Sequence, residues 1–280
     1  MSATQLRWLR ATLGLLQVFS SRLAARLAFR LFLTPNRRRL DPADAEVVRQ
    51  ARVHQVPCGK GHVRVYEWGT GPRTVVILHG WGSHAPRFAP LARALAEAGW
   101  RVLAPDAPGH GLSPGASSSL PQFIATLDAV ENHLGPVHAL VGHSLGALAV
   151  TLWMAGPPAR PAVRRVVLIS MPSGAPFLIQ SFHHMFGIGS AARERMAILF
   201  RRRFGTDPAS YLAEPHVAGI AVPVLLIHDL RDDVVPVAHS QQLQGHFPFG
   251  QFHATEGMGH SGLLRNAETI SQVKGFLGSD

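Results

Sequence analysis

Cysteine is nearly absent from this 280-residue chain: Cys58 is its only example, so no disulfide can form within it. Such a composition is typical of a protein in a reducing compartment. We therefore expect a cytoplasmic protein, with the periphery of the inner membrane as the alternative location. The sequence also lacks a His-Glu-x-x-His motif and any Cys/His cluster with zinc-finger spacing, despite its 16 histidines. We therefore predict no metal site.

Acidic residues are missing from the first 40 positions, which hold eight arginines. The rest of the chain includes 19 basic and 17 acidic side chains, so most of the formal charge of +10 belongs to the N-terminal segment. No RNA- or DNA-binding motif accompanies these arginines, and we predict no nucleic-acid partner.

Residues 1–40 also lack a long hydrophobic run, because the longest one, 11–19, is far shorter than the roughly 20 residues that span a bilayer. Leucines and arginines recur at spacings of three and four, which predicts a basic amphipathic helical segment. The predicted stripes are Leu6, Leu9, Leu13 and Leu16, then Leu23, Leu27 and Leu31, beside Arg22, Arg26 and Arg30. Three interpretations of residues 1–34 stay open. The first is a helix that packs on the body or on a second subunit, and packing on a second subunit would mean self-association. The others are a helix on an anionic membrane surface and a cleaved signal peptide.

From residue 53 onward the pattern alternates between strands and helices, and its length suits one domain, 53–280. Strands are predicted at 53–56, 63–67, 74–78, 102–105, 138–142, 166–170, 222–228 and 251–255, and helices at 88–98, 122–134, 145–154, 237–243 and 263–276. This alternation predicts an α/β fold with a mostly parallel, doubly wound sheet behind an antiparallel entry hairpin.

About forty residues, 172–215, interrupt this alternation with mainly helical sequence rich in phenylalanine, methionine and arginine. A segment this long inside a compact domain is usually functional, so we predict a small helical cap over the active site. The alternative is a surface excursion whose apolar side chains pack on the body.

The pentad Gly-His-Ser-Leu-Gly at 142–146 follows a buried predicted strand and precedes a predicted helix. Gly142 and Gly146 allow a sharp strand-to-helix turn that lifts the serine side chain off the sheet. The start of the helix directs backbone N–H groups toward a developing oxyanion. Ser144 is therefore the predicted nucleophile.

A serine hydroxyl needs a base, and the base needs a carboxylate that orients it. His260 follows the last predicted strand and Asp232 follows the one before it, so both loops belong at the sheet edge of Ser144. Asp229 and Asp233 lie in the same loop as Asp232, and the residues alone leave all three as candidates for the acid.

An oxyanion hole requires two N–H donors, and we assign one to Leu145, the residue after the nucleophile. The second is assigned to Trp81, in the His-Gly-Trp-Gly loop at 79–82 that follows the predicted strand 74–78. Gly80 and Gly82 allow this loop to turn its amides inward.

In these motifs the chain resembles the α/β-hydrolase superfamily, in its small-cap branch of esterases and lipases. The resemblance rests on 79–82, 106–113, 142–146 and the loops of Asp232 and His260, and it spans roughly residues 60–278. It implies Asp232 as the acid, because this family commonly places the acid three residues before a Val-Pro pair, here Val235-Pro236. It also implies that 106–113 shapes a loop without taking part in catalysis, that no cofactor is required, and that residues 1–40 lie outside the family pattern.

A Ser-His-Asp triad predicts a serine hydrolase that cleaves carboxylic esters through an acyl-enzyme, with a small-molecule ester or acyl substrate as its partner. A thioesterase, a lipase, or another acyl-transfer or C–C hydrolase would use the same triad, and the fold does not separate them. A non-catalytic binding protein on a hydrolase scaffold is the remote alternative.

Overall fold

The computed structural model describes residues 2–37 and 42–278 of the chain. Within these residues one sheet contains β1 (Arg52–Cys58), β2 (Gly61–Trp68), β3 (Arg73–Leu78), β4 (Trp100–Asp106), β5 (Ala139–His143), β6 (Arg165–Ile169), β7 (Val224–Asp229) and β8 (Gly250–Thr255). Their spatial order is β1-β2-β4-β3-β5-β6-β7-β8. Strand β2 is antiparallel to β1 and β4, and the other neighbouring pairs are parallel, so the predicted α/β-hydrolase fold class is confirmed.

The α-helices lie before, between and after these strands. They are α1 (Ala3–Phe19), α2 (Ser21–Phe32), α3 (Pro42–Arg49), α4 (Ala89–Glu97), α5 (Leu120–Leu134), α6 (Leu145–Ala155), α7 (Ala175–Phe186), α8 (Ser190–Phe204), α9 (Glu214–Val217), α10 (Ala238–Gln244), α11 (Gly259–Gly262) and α12 (Ala267–Gly278). Among these described helices, none is both long enough and apolar enough to cross a membrane.

The central strands are buried on both faces, as their continuous apolar runs predict. Every residue of β5 and β7 is buried, whereas the edge strands β1 and β8 keep exposed positions. Side chains such as Ile77, Val141 and Val167 are fully buried, and each contributes about 1.5–3 kcal/mol by its removal from water. Because β3 and β5 to β8 run in parallel, the loops that follow them emerge at one carboxyl edge of the sheet.

The described residues form two compact units: 2–36 together with 174–212, and 37–173 together with 213–278. In the first unit Ser20 ends α1 and caps α2, since its hydroxyl accepts from Leu23 N at 3.3 Å. The Gln17 side chain reaches the turn before α8, donating to Gly187 O at 3.2 Å and accepting from Gly189 N. The N-terminal helices thus pack on the predicted cap segment, a contact the sequence interpretations did not name. That the segment covers the active site stays a prediction.

The leucine stripe predicted on α2 is only partly buried. Ala24, Ala25 and Ala28 are the fully buried residues of this helix, whereas Leu23 is 52% exposed. Helix axes approach closely where the side chains at the contact are small, and the alanines of α2 share a buried cluster with Ala192 and Met196 of α8. Leu13 of α1 is fully buried in the same cluster as Met196.

Candidate active site

Ser144 lies in a sharp turn between β5 and α6. Its φ of +53° is in the left-handed region, which costs a non-glycine residue about 1–3 kcal/mol and needs support from its surroundings. Part of that support is the hydrogen bond from Ser144 N to Ile169 O, 2.9 Å long, at the end of β6. The strand, turn and helix expected around the pentad are therefore present at the carboxyl edge of the sheet.

The two glycines of the pentad have no room for a side chain. A Cβ on Gly142 would lie 2.5 Å from the Cα of Ala147. A Cβ on Gly146 would lie 2.4 Å from the backbone oxygens of Leu78 and His79. Their absence of side chains lets the start of α6 approach the end of β3, where the predicted oxyanion loop begins.

Gly146→Ala is expected to destabilise the protein by about 1–3 kcal/mol, because the new methyl group meets two backbone oxygens that cannot move aside independently. Gly275→Ala is the matched control: it adds the same group to α12, where nothing lies within 4 Å, and we expect a gain of up to about 1 kcal/mol. Urea unfolding followed by circular dichroism measures both. Equal effects of the two substitutions would contradict the close approach of α6 and β3.

His260 and Asp232 are joined by a hydrogen bond, with Nδ1 of the imidazole 2.8 Å from Oδ2 of the carboxylate. Oδ1 of Asp232 accepts from the backbone N–H groups of Val234 and Val235, each at 2.9 Å. Burial acts to raise the pKa of Asp232, but hydrogen bonds from His228, His260 and Val235 outweigh it and hold this pKa well below its usual range. The ionised acid keeps the proton of His260 on Nδ1, so Nε2 is the basic nitrogen.

His228 is a second histidine on the same carboxylate, and sequence reasoning did not single it out. Its Nε2 donates to Val235 O at 2.8 Å, and its Nδ1 lies 2.7 Å from the hydroxyl of Ser240 in α10. A carbonyl oxygen can only accept, so Nε2 carries the proton, and it also lies 3.3 Å from Asp232 Oδ2. This fully buried imidazole therefore anchors the loop that contains Asp232 to α10, the helix that follows it.

The structure gives the two rival acids different surroundings. Asp229 is fully buried, and its Oδ2 accepts from Thr255 Oγ1 and Met258 N, both at 2.9 Å. Burial acts to raise the pKa of Asp229, but these hydrogen bonds and further backbone ones lower it overall. Asp229 thus connects the loop of Asp232 to the loop of His260. The side chain of Asp233, by contrast, is exposed. Only Asp232, of the three, is hydrogen-bonded to His260 in the described residues.

His143, one of the two variable residues of the pentad, connects the turn of Ser144 with His260. Its Nε2 donates to the backbone oxygen of His260 at 2.9 Å, and the centroids of the two rings are 4.8 Å apart. Burial, aided by the nearby His260, lowers the pKa of His143 to about 3, so its imidazole is neutral near pH 7. The contact brings His260 beside the residue that precedes Ser144. Sequence reasoning missed it because the motif demands no residue type at this position.

The loop after β3 lies against Ser144. A Cβ on Gly80 would be 2.9 Å from the Cβ of Ser144. Trp81 follows Gly80, and Leu145 is the first residue of α6, whose first N–H groups have no acceptor within the helix. The backbone amides of Trp81 and Leu145 therefore stay our predicted oxyanion donors.

Buried histidines support that loop. His79 Nδ1 donates to Gly80 O at 2.7 Å, and its Nε2 accepts from Ala107 N at 3.0 Å, so both ring nitrogens are occupied. The ring of His110 is 5.0 Å away, and burial lowers the pKa of both imidazoles, that of His110 to about 4. Across residues 2–37 and 42–278, no three His, Cys, Asp or Glu side chains are grouped to hold a metal ion.

Asp106 lies in the stretch 106–113 that is predicted to shape a loop, and both of its carboxylate oxygens accept hydrogen bonds from neighbouring residues. Its Oδ1 accepts from Ala85 N at 2.8 Å, and its Oδ2 accepts from Leu112 N at 2.9 Å and from the Tyr66 hydroxyl at 3.3 Å. Burial raises the pKa of this carboxyl to about 6, although the hydrogen bonds oppose the shift. These contacts agree with a structural role for residues 106–113.

Comparison with known proteins gives consistent relatives. Residues 71–186 match the family model described as serine aminopeptidase, S33. A pimeloyl-[acyl-carrier protein] methyl ester esterase of Chromobacterium violaceum is 42% identical over 92 residues, which cover 32% of this chain and 34% of that protein. The protein of that name from Xanthomonas campestris pv. campestris is 27% identical over 244 residues, covering 73% and 94%. The solved structure of an esterase from Pyrococcus furiosus matches with a TM-score of 0.65 and 20% identity, covering 88% and 98%, and supports the fold alone.

The sheet order, the strand–turn–helix around Ser144 and these similarities together define the class of the protein. The chain has the α/β-hydrolase fold. Its sequence is similar to hydrolases of that fold, and it is a hydrolase.

Proposed function

We propose that this protein is a serine esterase that hydrolyses carboxylic esters through an acyl-enzyme. The observation that carries the proposal is the hydrogen-bonded set of His143, His260 and Asp232, in which a carboxylate orients a histidine that is bonded to the residue before Ser144. Proton transfer by such an oriented histidine is what a serine hydroxyl needs to attack a carbonyl carbon at neutral pH.

The proposed reaction has two halves. The Ser144 oxygen bonds to the ester carbonyl carbon while His260 Nε2 takes the hydroxyl proton, and the N–H groups of Trp81 and Leu145 bind the oxyanion. The carbon–oxygen bond to the alcohol then breaks, and the alcohol leaves with the proton from His260. Water next attacks the acyl-enzyme with His260 as base, and the carboxylic acid departs as the serine hydroxyl is restored.

The choice of an ester as the substrate bond draws on the relatives as well as on the site. The names of the Chromobacterium and Xanthomonas proteins specify a methyl ester. We propose that this chain also cleaves an ester bond, and we do not extend the acyl-carrier part of the relatives' substrate to it. A small alcohol as leaving group needs protonation as it departs, which is the second task of His260.

Matched oxygen and sulfur esters test this bond preference. We expect kcat/KM for dimethyl pimelate and for p-nitrophenyl butyrate to exceed that for butyryl-CoA by at least about tenfold, a difference of about 1.4 kcal/mol in transition-state binding. The Ser144→Ala variant, measured at the same enzyme concentration, gives the background for each substrate. A preference for the CoA thioester would replace the esterase assignment with a thioesterase.

A further inference from the structure

Helix α1 has two apolar faces, and its own unit buries only one of them. The buried face contains Leu13, with Leu6, Leu9 and Leu16 partly buried around it. The opposite face contains Trp8, Leu15 and Phe19, spaced seven and four residues apart, which places them on one side of a helix. These side chains are 71%, 62% and 78% exposed. We call them, with the 80%-exposed Val18, the outer face of α1.

The charged side chains of the two N-terminal helices have one sign. Arg7 and Arg10 are exposed on α1 itself, and neither an aspartate nor a glutamate occurs among residues 2–36. On the exposed side of α2 the arginines follow at spacings of four: Arg22, Arg26 and Arg30.

The whole unit shares this excess of positive charge. Residues 2–36 and 174–212 contain ten arginines against Glu194 and Asp207, which is a formal charge of +8 out of the +10 of the chain. A partner that covers the outer face must therefore tolerate or favour concentrated positive charge.

A second copy of the chain meets this requirement poorly. In a two-fold symmetric dimer the same patch would face itself, so the exposed arginines of one copy would approach those of the other, and residues 2–36 contain no acid to pair with them. An anionic bilayer surface satisfies both features of the helix pair. Aromatic and aliphatic side chains enter the boundary between headgroups and acyl chains, and arginines contact the lipid phosphates.

We propose that the outer face of α1, together with the arginines of α1 and α2, docks the protein on an anionic phospholipid surface with α1 lying in the plane of the interface. Each arginine near such a surface adds attraction, and the Trp and Phe side chains supply the apolar burial that holds the helix there. The inference does not depend on the proposed esterase activity, because none of these residues belongs to the unit that contains Ser144.

Vesicle flotation with the full chain tests the proposal. We expect the wild type to bind vesicles of phosphatidylglycerol and phosphatidylcholine at least about tenfold more strongly than pure phosphatidylcholine vesicles, and to lose this preference in 0.5 M salt. The triple variant Trp8→Ser, Leu15→Gln, Phe19→Ser should lose at least about tenfold in binding. The triple variant Arg22→Gln, Arg26→Gln, Arg30→Gln should lose a similar factor on the anionic vesicles only.

Two controls separate docking from folding and from catalysis. Val53→Ser with Phe249→Ser removes exposed apolar side chains from the other unit, 44% and 58% exposed, and should bind vesicles like the wild type. Ser144→Ala should also bind vesicles normally, whatever its activity. Circular dichroism and turnover of a soluble ester check that the α1 variant is folded.

Three outcomes would overturn the proposal. The first is equal binding to neutral and anionic vesicles, or no binding to either. The second is retention of vesicle binding by the folded α1 variant. The third is a concentration-dependent dimer, seen by sedimentation, that the α1 substitutions abolish while vesicle binding is absent, which would assign the outer face to a second copy.

Discussion

Ser144→Ala is expected to lower kcat/KM for p-nitrophenyl esters by about 10⁴-fold or more, with little change in the free energy of unfolding. The loss follows because the hydroxyl oxygen forms the acyl bond, and no water held at that position is deprotonated with equal efficiency. The stability should change little because Ser144 holds its turn through backbone hydrogen bonds, including Ser144 N to Ile169 O at 2.9 Å.

A neighbouring serine provides the matched control for that substitution. Ser170 is buried, has a φ of +50° and follows β6 at the same edge of the sheet. Ser170→Ala should retain ester turnover within about tenfold of wild type, since the Ser170 hydroxyl has no hydrogen-bond partner among the described residues. If the two alanine variants lost activity equally, the assignment of the nucleophile would be wrong.

Asp232→Asn is expected to lower kcat by about 10³–10⁴-fold. The amide can no longer hold the proton of His260 on Nδ1 as a carboxylate does, and it does not stabilise the imidazolium that forms during attack. Binding of the substrate should be less affected, so the change should appear in kcat rather than in KM.

Asp233→Asn separates a catalytic acid from general charge in the loop. This adjacent residue is exposed, and its substitution removes the same charge at one residue's distance. We expect it to keep nearly wild-type kcat. Comparable losses in both variants would show that the loop acts through its total charge, and a loss confined to Asp233→Asn would reverse the assignment.

The sheet and the residues at its edge were predictable because local patterns determine them. Buried parallel strands such as β5 and β7 read as unbroken apolar runs, and a serine between two glycines after such a run predicts the nucleophile turn. The boundaries of helices were less predictable where a capping side chain determines them. The helix predicted at 263–276 begins instead at Ala267, because the Asn266 side chain accepts from Thr269 N at 3.0 Å, and the loop of His260 closes into the short helix α11.

Contacts between distant residues were beyond the sequence pattern. His143 meets His260 across 117 positions, and Gln17 of α1 meets Gly189 across 172. Neither pair has a local signal, because the sequence around a single histidine or glutamine does not indicate which distant residue it contacts. The alanine face of α2 was also missed, since leucines dominate a hydrophobicity pattern while close helix packing selects small residues.

The chemical identity of the residue that forms the acyl-enzyme is the central claim, and trapping it tests the claim most directly. A fluorophosphonate reacts with an activated serine, and peptide mass spectrometry of the labelled, folded protein locates the adduct. We predict one adduct per chain on the peptide that contains Ser144, formed much more slowly in Asp232→Asn. An adduct on another serine, or ester turnover by protein that the probe fails to label, would contradict the account.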